Sequence, residues 1–83
     1  MTYKIRFKKS VGRDLKKIEK QQVERILSNI EDKLGNAPET YPSLTGKFSG
    51  LRKFRVGNYR IIYSILDDTV LILRISHRRE SYR

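Results

Sequence analysis

The 83-residue chain has no cysteine, no tryptophan, one histidine, two prolines and only 9 acidic residues against 19 lysines and arginines. Without cysteine there is no disulfide framework, no thiolate zinc site and no thiol nucleophile, so the reducing cytoplasm is a permitted home and the expected one. His77 has neither a second histidine nor a local carboxylate pair at ligand spacing, and no glycine-rich phosphate loop is present. Neither a metal nor a small-molecule cofactor is therefore expected. No serine sits in a recognisable nucleophile turn. The longest apolar run, Val70 to Leu73, is far short of the roughly 20 residues of a membrane span, and the first residues carry no apolar signal region. A soluble, unsecreted chain without a membrane partner is expected. Its length suits one domain, residues 1–83, with a core that buries about 60 to 65% of the unfolded surface.

What is abundant is positive charge. A net charge of +10 repels itself in a compact chain and suits a polyanion or an acidic protein as partner. Residues 1–35 mix both signs, as solvated helices do. From Gly46 to Tyr63 the mixture ends: Lys47, Arg52, Lys53, Arg55 and Arg60 occur with no acid among them. A second basic group, Arg74, Arg78, Arg79 and Arg83, is diluted only by Glu80.

Hydrophobic periodicity orders the chain. Thr2 to Phe7 alternates, with Tyr3, Ile5 and Phe7 set against Lys4 and Arg6, which predicts a half-buried strand. Ser10 is a candidate cap for a short helix carrying Val11, Leu15 and Ile18. Val23, Ile26, Leu27, Ile30 and Leu34 follow helical spacing, and Gly35 is placed to end that helix in a left-handed conformation. Asn36 to Ser49 holds both prolines and no period, so it reads as a connector, at the long end for a compact domain. Three strands follow, Leu51 to Val56, Tyr59 to Leu66 and Thr69 to Ser76, joined by Gly57-Asn58 and Asp67-Asp68. The first pair suits a turn with positive φ, and Asp tolerates that region better than most residues. The expected fold is α+β: an N-terminal strand, a helical hairpin and a three-stranded antiparallel meander, with both helices on one face of the sheet.

If Phe54 and Val56 face the helices, alternation turns Lys53 and Arg55 to the open face. Lys53, Arg55 and Arg60, joined by His77, Arg78, Arg79 and Tyr82 from the end of the last strand, could hold a phosphodiester and neutralise a five-coordinate phosphorus. RNA carries its own nucleophile in the 2′-hydroxyl, so no metal is needed. Lys47, Arg52, Arg55, Arg79 and Arg83 are expected to contact RNA phosphates. Arginine stays protonated, which leaves Lys53, His77 and Tyr82 as proton carriers. Neighbouring guanidiniums favour loss of a lysine proton, whereas alternation can point His77 away from the patch.

The stretch Gly50 to Tyr63, with its RVGNYRIIY string, and the terminal HRRESY (His77 to Tyr82) resemble the RelE/ParE superfamily of bacterial and archaeal toxins. The resemblance spans nearly the whole chain and includes the Leu44-Thr45-Gly46 approach to the meander. It implies a toxin of a toxin–antitoxin pair that cleaves messenger RNA in the ribosomal A site through the 2′-hydroxyl, without metal, and is held by an acidic antitoxin. By position it gives Lys53, Arg60, Arg78 and Tyr82 the catalytic roles, with His77 as the alternative base. Well-studied members carry a second lysine two places before the one matching Lys53. Leu51 stands there, and the adjacent Arg52 supplies charge but no base. The ParE branch of the same scaffold implies gyrase inhibition instead, and an inactive basic nucleic-acid-binding module is the third reading.

Overall fold

The computed structural model describes residues 2–48 and 50–79. Strand β1 (Lys4–Phe7) leads into helices α1 (Val11–Lys16) and α2 (Lys20–Asn29). Strands β2 (Arg52–Val56), β3 (Tyr59–Leu66) and β4 (Thr69–His77) follow the connector. They form one sheet in the order β1-β4-β3-β2, with β1 parallel to β4 and the other pairs antiparallel. The architecture is the α+β arrangement expected from the pattern. Alternation, shifted once by a bulge in β4, sends Phe54, Val56, Ile61, Tyr63, Val70, Ile72 and Ile75 to one face, where they bury against Val11, Ile26, Ile30 and Leu34. Each such aliphatic or aromatic side chain contributes about 1.5–3 kcal/mol on leaving water. Among the described residues no helix is long and apolar enough to cross a membrane.

Both hairpins turn on a positive φ at their first turn residue, +58° at Gly57 and +56° at Asp67. A Cβ at Gly57 would meet only the guanidinium of Arg25, at an ordinary contact distance of 3.4 Å, so the positive φ is what calls for glycine there.

Two expected helix signals act differently. Ser10 makes no side-chain cap bond. The chain instead enters α1 through a backbone turn, with the Val11 N–H donating to the Lys8 carbonyl at 2.9 Å. Gly35 is right-handed, φ −68°. After Asn29 the helix widens into a π-helical turn, Ile30–Leu34, and the Gly35 N–H reaches the Ile30 carbonyl at 3.2 Å. A side chain at Gly35 would overlap the Glu31 carbonyl oxygen, so glycine serves here by close approach, not by handedness. Its own carbonyl accepts the Tyr3 N–H at 2.7 Å and anchors the start of β1.

The connector is ordered by the sheet it precedes. It contains 3-10 turns at Pro38–Thr40 and Gly46–Phe48 and a bridge between Ser43 and Arg52. The buried Tyr63 hydroxyl donates to the Pro38 carbonyl at 2.6 Å, and burial pushes its pKa up to about 12. Where β1 ends, α1 takes over the edge of β4: the Asp14 carboxylate accepts the Ile75 N–H at 3.0 Å.

Candidate nucleic-acid interface

The open face is laid out by the register of β2, β3 and β4. The Lys53 N–H points outward from the sheet and donates to the Pro42 carbonyl at 3.1 Å. Lys53–Ile62 and Arg55–Arg60 are therefore the non-hydrogen-bonded pairs of the β2–β3 ladder, the pairs whose side chains come closest. On the far side of β3, Arg60 faces Ser76 and Ile62 faces Arg74. Two rows result, Arg55-Arg60-Ser76 and Lys53-Ile62-Arg74. Like charges directly opposite one another are destabilising, yet Arg55 and Arg60 sit so. The ion pairs among the described residues, Lys4–Asp68 and Lys33–Asp32, lie elsewhere. This face therefore concentrates positive charge that no described carboxylate neutralises.

Two clefts meet at Arg60. One, of about 450 Å³, runs along the outer edge of β2 and is lined by Tyr41, Pro42, Lys53, Phe54, Arg55 and Arg60. The other, of about 510 Å³, has an apolar floor of Leu44, Phe48, Leu51, Ile62 and Leu73, flanked by Lys8, Arg60 and Arg74.

A β-bulge decides which residues of β4 join them. Leu73 is an extra residue between the pairs Ile62–Arg74 and Tyr63–Ile72. Unbroken alternation from the buried Val70 and Ile72 would carry Arg74 inward and His77 outward. The inserted residue reverses both. His77 consequently lies on the helix-covered side, opposite Tyr59, with the two rings edge-on at 5.2 Å. It shares a small cavity with Asp14, Lys17 and Ile18, and its Nδ1 accepts the Arg79 N–H at 3.1 Å. The structure thus separates His77 from Lys53 and Arg60, the outcome that the sequence allowed, although the bulge and not simple alternation produces it.

Arg52 is also not part of the open face. It pairs with Tyr63 on the inner side of β2. Its guanidinium donates to the carbonyls of Tyr41 at 2.7 Å and Glu39 at 3.1 Å, which spends its charge on holding the connector. Lys47 stands over the half-exposed Phe48 ring at 5.5 Å, beside the second cleft. The Arg78 N–H bonds to the Asn58 carbonyl at 2.6 Å, which places this exposed residue at the β2–β3 turn. Arg79 is exposed next to it. Tyr82 and Arg83 lie outside the described residues.

The structure brings together Lys53, Arg55 and Arg60, and adds Arg74. Tyr41, Pro42 and the apolar floor were not singled out from sequence. For Tyr41, Pro42 and Phe48 the only signal was the length of the connector, whereas Ile62 and Leu73 read as ordinary strand residues.

A four-stranded sheet with two helices on one face and cations on the other defines a class. Residues 5–82 match the family model of the ParE toxin of type II toxin–antitoxin systems, parDE, and the chain belongs to that family. It is a toxin of a type II toxin–antitoxin system, of the RelE/ParE superfamily. The chain is 33% identical over 86 residues to Toxin RelG of Mycobacterium tuberculosis (strain ATCC 25618 / H37Rv), covering 100% of this chain and 99% of that protein. The toxin–antitoxin complex RelBE2 from Mycobacterium tuberculosis gives a TM-score of 0.83 at 30% identity, over 94% of this chain and 100% of the other. The archaeal RelE–RelB complex from Pyrococcus horikoshii OT3 gives 0.68 at 30% identity, over 94% and 97%.

Proposed function

We propose that this toxin is a metal-independent endoribonuclease that cuts messenger RNA in the ribosomal A site and so stops translation. The supporting observation is the juxtaposition of Lys53, Arg55 and Arg60 on one sheet face, with Arg74 beside them and no described carboxylate paired to any of them. In the reaction the ribose 2′-oxygen attacks phosphorus and gives up its proton, the bond to the 5′-oxygen breaks, and that oxygen takes a proton. The products are a 2′,3′-cyclic phosphate and a 5′-hydroxyl. Arg60 and Arg55, with Arg78 at the end of the sheet, stabilise the charge of the phosphorane. Lys53 exchanges the proton on this face, because arginine stays protonated. Tyr82, assigned by resemblance, is the partner acid. His77, on the other side of the sheet, keeps a structural place.

The relatives in the RelBE2 and Pyrococcus horikoshii complexes are bound to antitoxins. By extension, this chain has a cognate antitoxin, and its excess of cations calls for an acidic one. The matching family model is that of the ParE toxin, and resemblance to the ParE branch carries the other reading, gyrase inhibition. A translation extract with primer extension decides between them. Messages cut within codons support the ribonuclease, whereas intact messages with stalled gyrase–DNA complexes overturn it.

A further inference from the structure

Tyr41 is half-buried at the outer edge of β2, where its ring packs edge-on against the core residue Phe54, with centroids 4.8 Å apart at 65°, and lines one cleft with Lys53, Arg55 and Arg60 of the open face. The backbone on both sides of the ring is tied to β2. Arg52 holds the Tyr41 carbonyl at 2.7 Å, and the Lys53 N–H holds the Pro42 carbonyl at 3.1 Å. The ring is thus fixed relative to the strand that presents Lys53 and Arg55. Past Pro42 the outer edge of β2 loses its connector partner. By the two-residue period of a strand, the Arg55 N–H points outward there, as the Lys53 N–H does.

The cleft so formed, about 450 Å³, falls within the roughly 300–1,000 Å³ of small-ligand pockets. The apolar part of its walls is Tyr41, Pro42 and Phe54, and the charged part is Lys53, Arg55 and Arg60. These walls match the two halves of a nucleotide, a base with a π-face and a phosphate with a charge. We infer that the cleft is a single-nucleotide subsite, in which Tyr41 stacks on a base while Arg55 and Arg60 hold the adjoining phosphate. Tyr41 then fixes the base and confers the modest preference that follows stacking strength, since every base offers a π-face. The inference rests on the ribonuclease reading for the nature of its ligand.

The test uses the full chain and a 2′-O-methyl RNA trinucleotide with a central 2-aminopurine, which cannot be cleaved. Wild-type protein should quench the 2-aminopurine. Tyr41→Leu, which keeps an apolar contact for Phe54, should lose the quench and bind about tenfold more weakly. Its slope of log K against log salt should stay unchanged, because the phosphate contacts remain. Tyr41→Trp covers the case in which the leucine variant does not fold. It introduces the sole indole of the chain, and RNA should quench its emission. Wild-type quench and affinity in a folded Tyr41→Leu, or an indole indifferent to RNA, overturns the subsite. So does a cleft that answers to acidic peptides and not to RNA. The ribosomal assay keeps the two ideas apart. Unchanged cutting and base preference in Tyr41→Leu would sink the subsite and leave the nuclease standing. Tyr41-dependent binding with intact messages would do the reverse.

Discussion

The two faces of the sheet are made by the same strands and answer to opposite demands. Facing the helices, Ile61, Tyr63, Val70 and Ile72 are completely buried and the packing is apolar. Facing away, Arg60 stands opposite Arg55, and Ile62 is flanked by Lys53 and Arg74. One residue step along β3 moves from a side chain that holds the fold together to one whose charge the fold must tolerate. Stability and the proposed RNA chemistry are therefore separable here by parity, and substitutions at neighbouring positions should report different things.

The largest expected effect is on the inner face. Ile61→Ala should cost about 2–5 kcal/mol, because it opens a cavity against fully buried neighbours. Denaturant unfolding measures it, and a cost under about 1 kcal/mol would mean that the helices do not close this face. The adjacent Arg60→Ala should instead change stability by less than about 1 kcal/mol, the size of the like-charge repulsion with Arg55 that it removes, and slow cleavage about 10²- to 10³-fold, as loss of a charge-stabilising donor does. Full cleavage by a folded Arg60→Ala would remove Arg60 from the site.

This parity was legible in the sequence only where it is local. Within β2, alternation placed Lys53 and Arg55 together, and two-residue turns set the hairpins. It did not show which cations the fold itself consumes. Arg52 is one residue from Lys53, yet only the return of the connector along β2 turns its guanidinium toward the Tyr41 and Glu39 carbonyls. Nor did it show the bulge at Leu73, which exchanges Arg74 and His77 between faces, since a run of apolar β-branched and leucine residues gives no mark of an inserted position. Gly35 was read from the commonest use of glycine after a helix, whereas a wider turn and the nearby Glu31 carbonyl set its conformation. Tyr41 had no signal of its own, because its place depends on contacts made 11 and 13 residues later.

The next effect is smaller and depends on pH. Burial raises the Tyr63 pKa from 10.0 to about 12. The folded chain thus holds this proton longer than the unfolded one. The associated stability is complete below pH 10 and is lost progressively as pH rises toward 12. Tyr63→Phe has no proton to lose, so its unfolding free energy should fall less steeply across that interval. At neutral pH it should be less stable by about 1–3 kcal/mol, because the Pro38 carbonyl loses its donor. Parallel slopes for the two proteins from pH 10 to 12 would show that the hydroxyl is not held in the core.

The smallest effect bears most directly on why the faces differ. A like-charged pair at the closest cross-strand position costs the folded state about 0.2–1 kcal/mol, and a strand selected only for stability has no reason to keep it. Arg55→Thr retains β propensity and removes the repulsion with Arg60, so it should raise stability by a few tenths of a kcal/mol up to about 1 kcal/mol at low ionic strength. The gain should shrink as salt shortens the Debye length from about 30 Å at 0.01 M toward about 3 Å at 1 M, and the same variant should bind RNA more weakly. Each result has its counterpart in the wild type, where a bound phosphate between Arg55 and Arg60 would relieve the repulsion that the free protein carries. A variant that loses RNA binding without becoming more stable at low salt would show that the two guanidiniums do not oppose one another across the strands, and the open face would then lack the electrostatic tension that a phosphate is proposed to relieve.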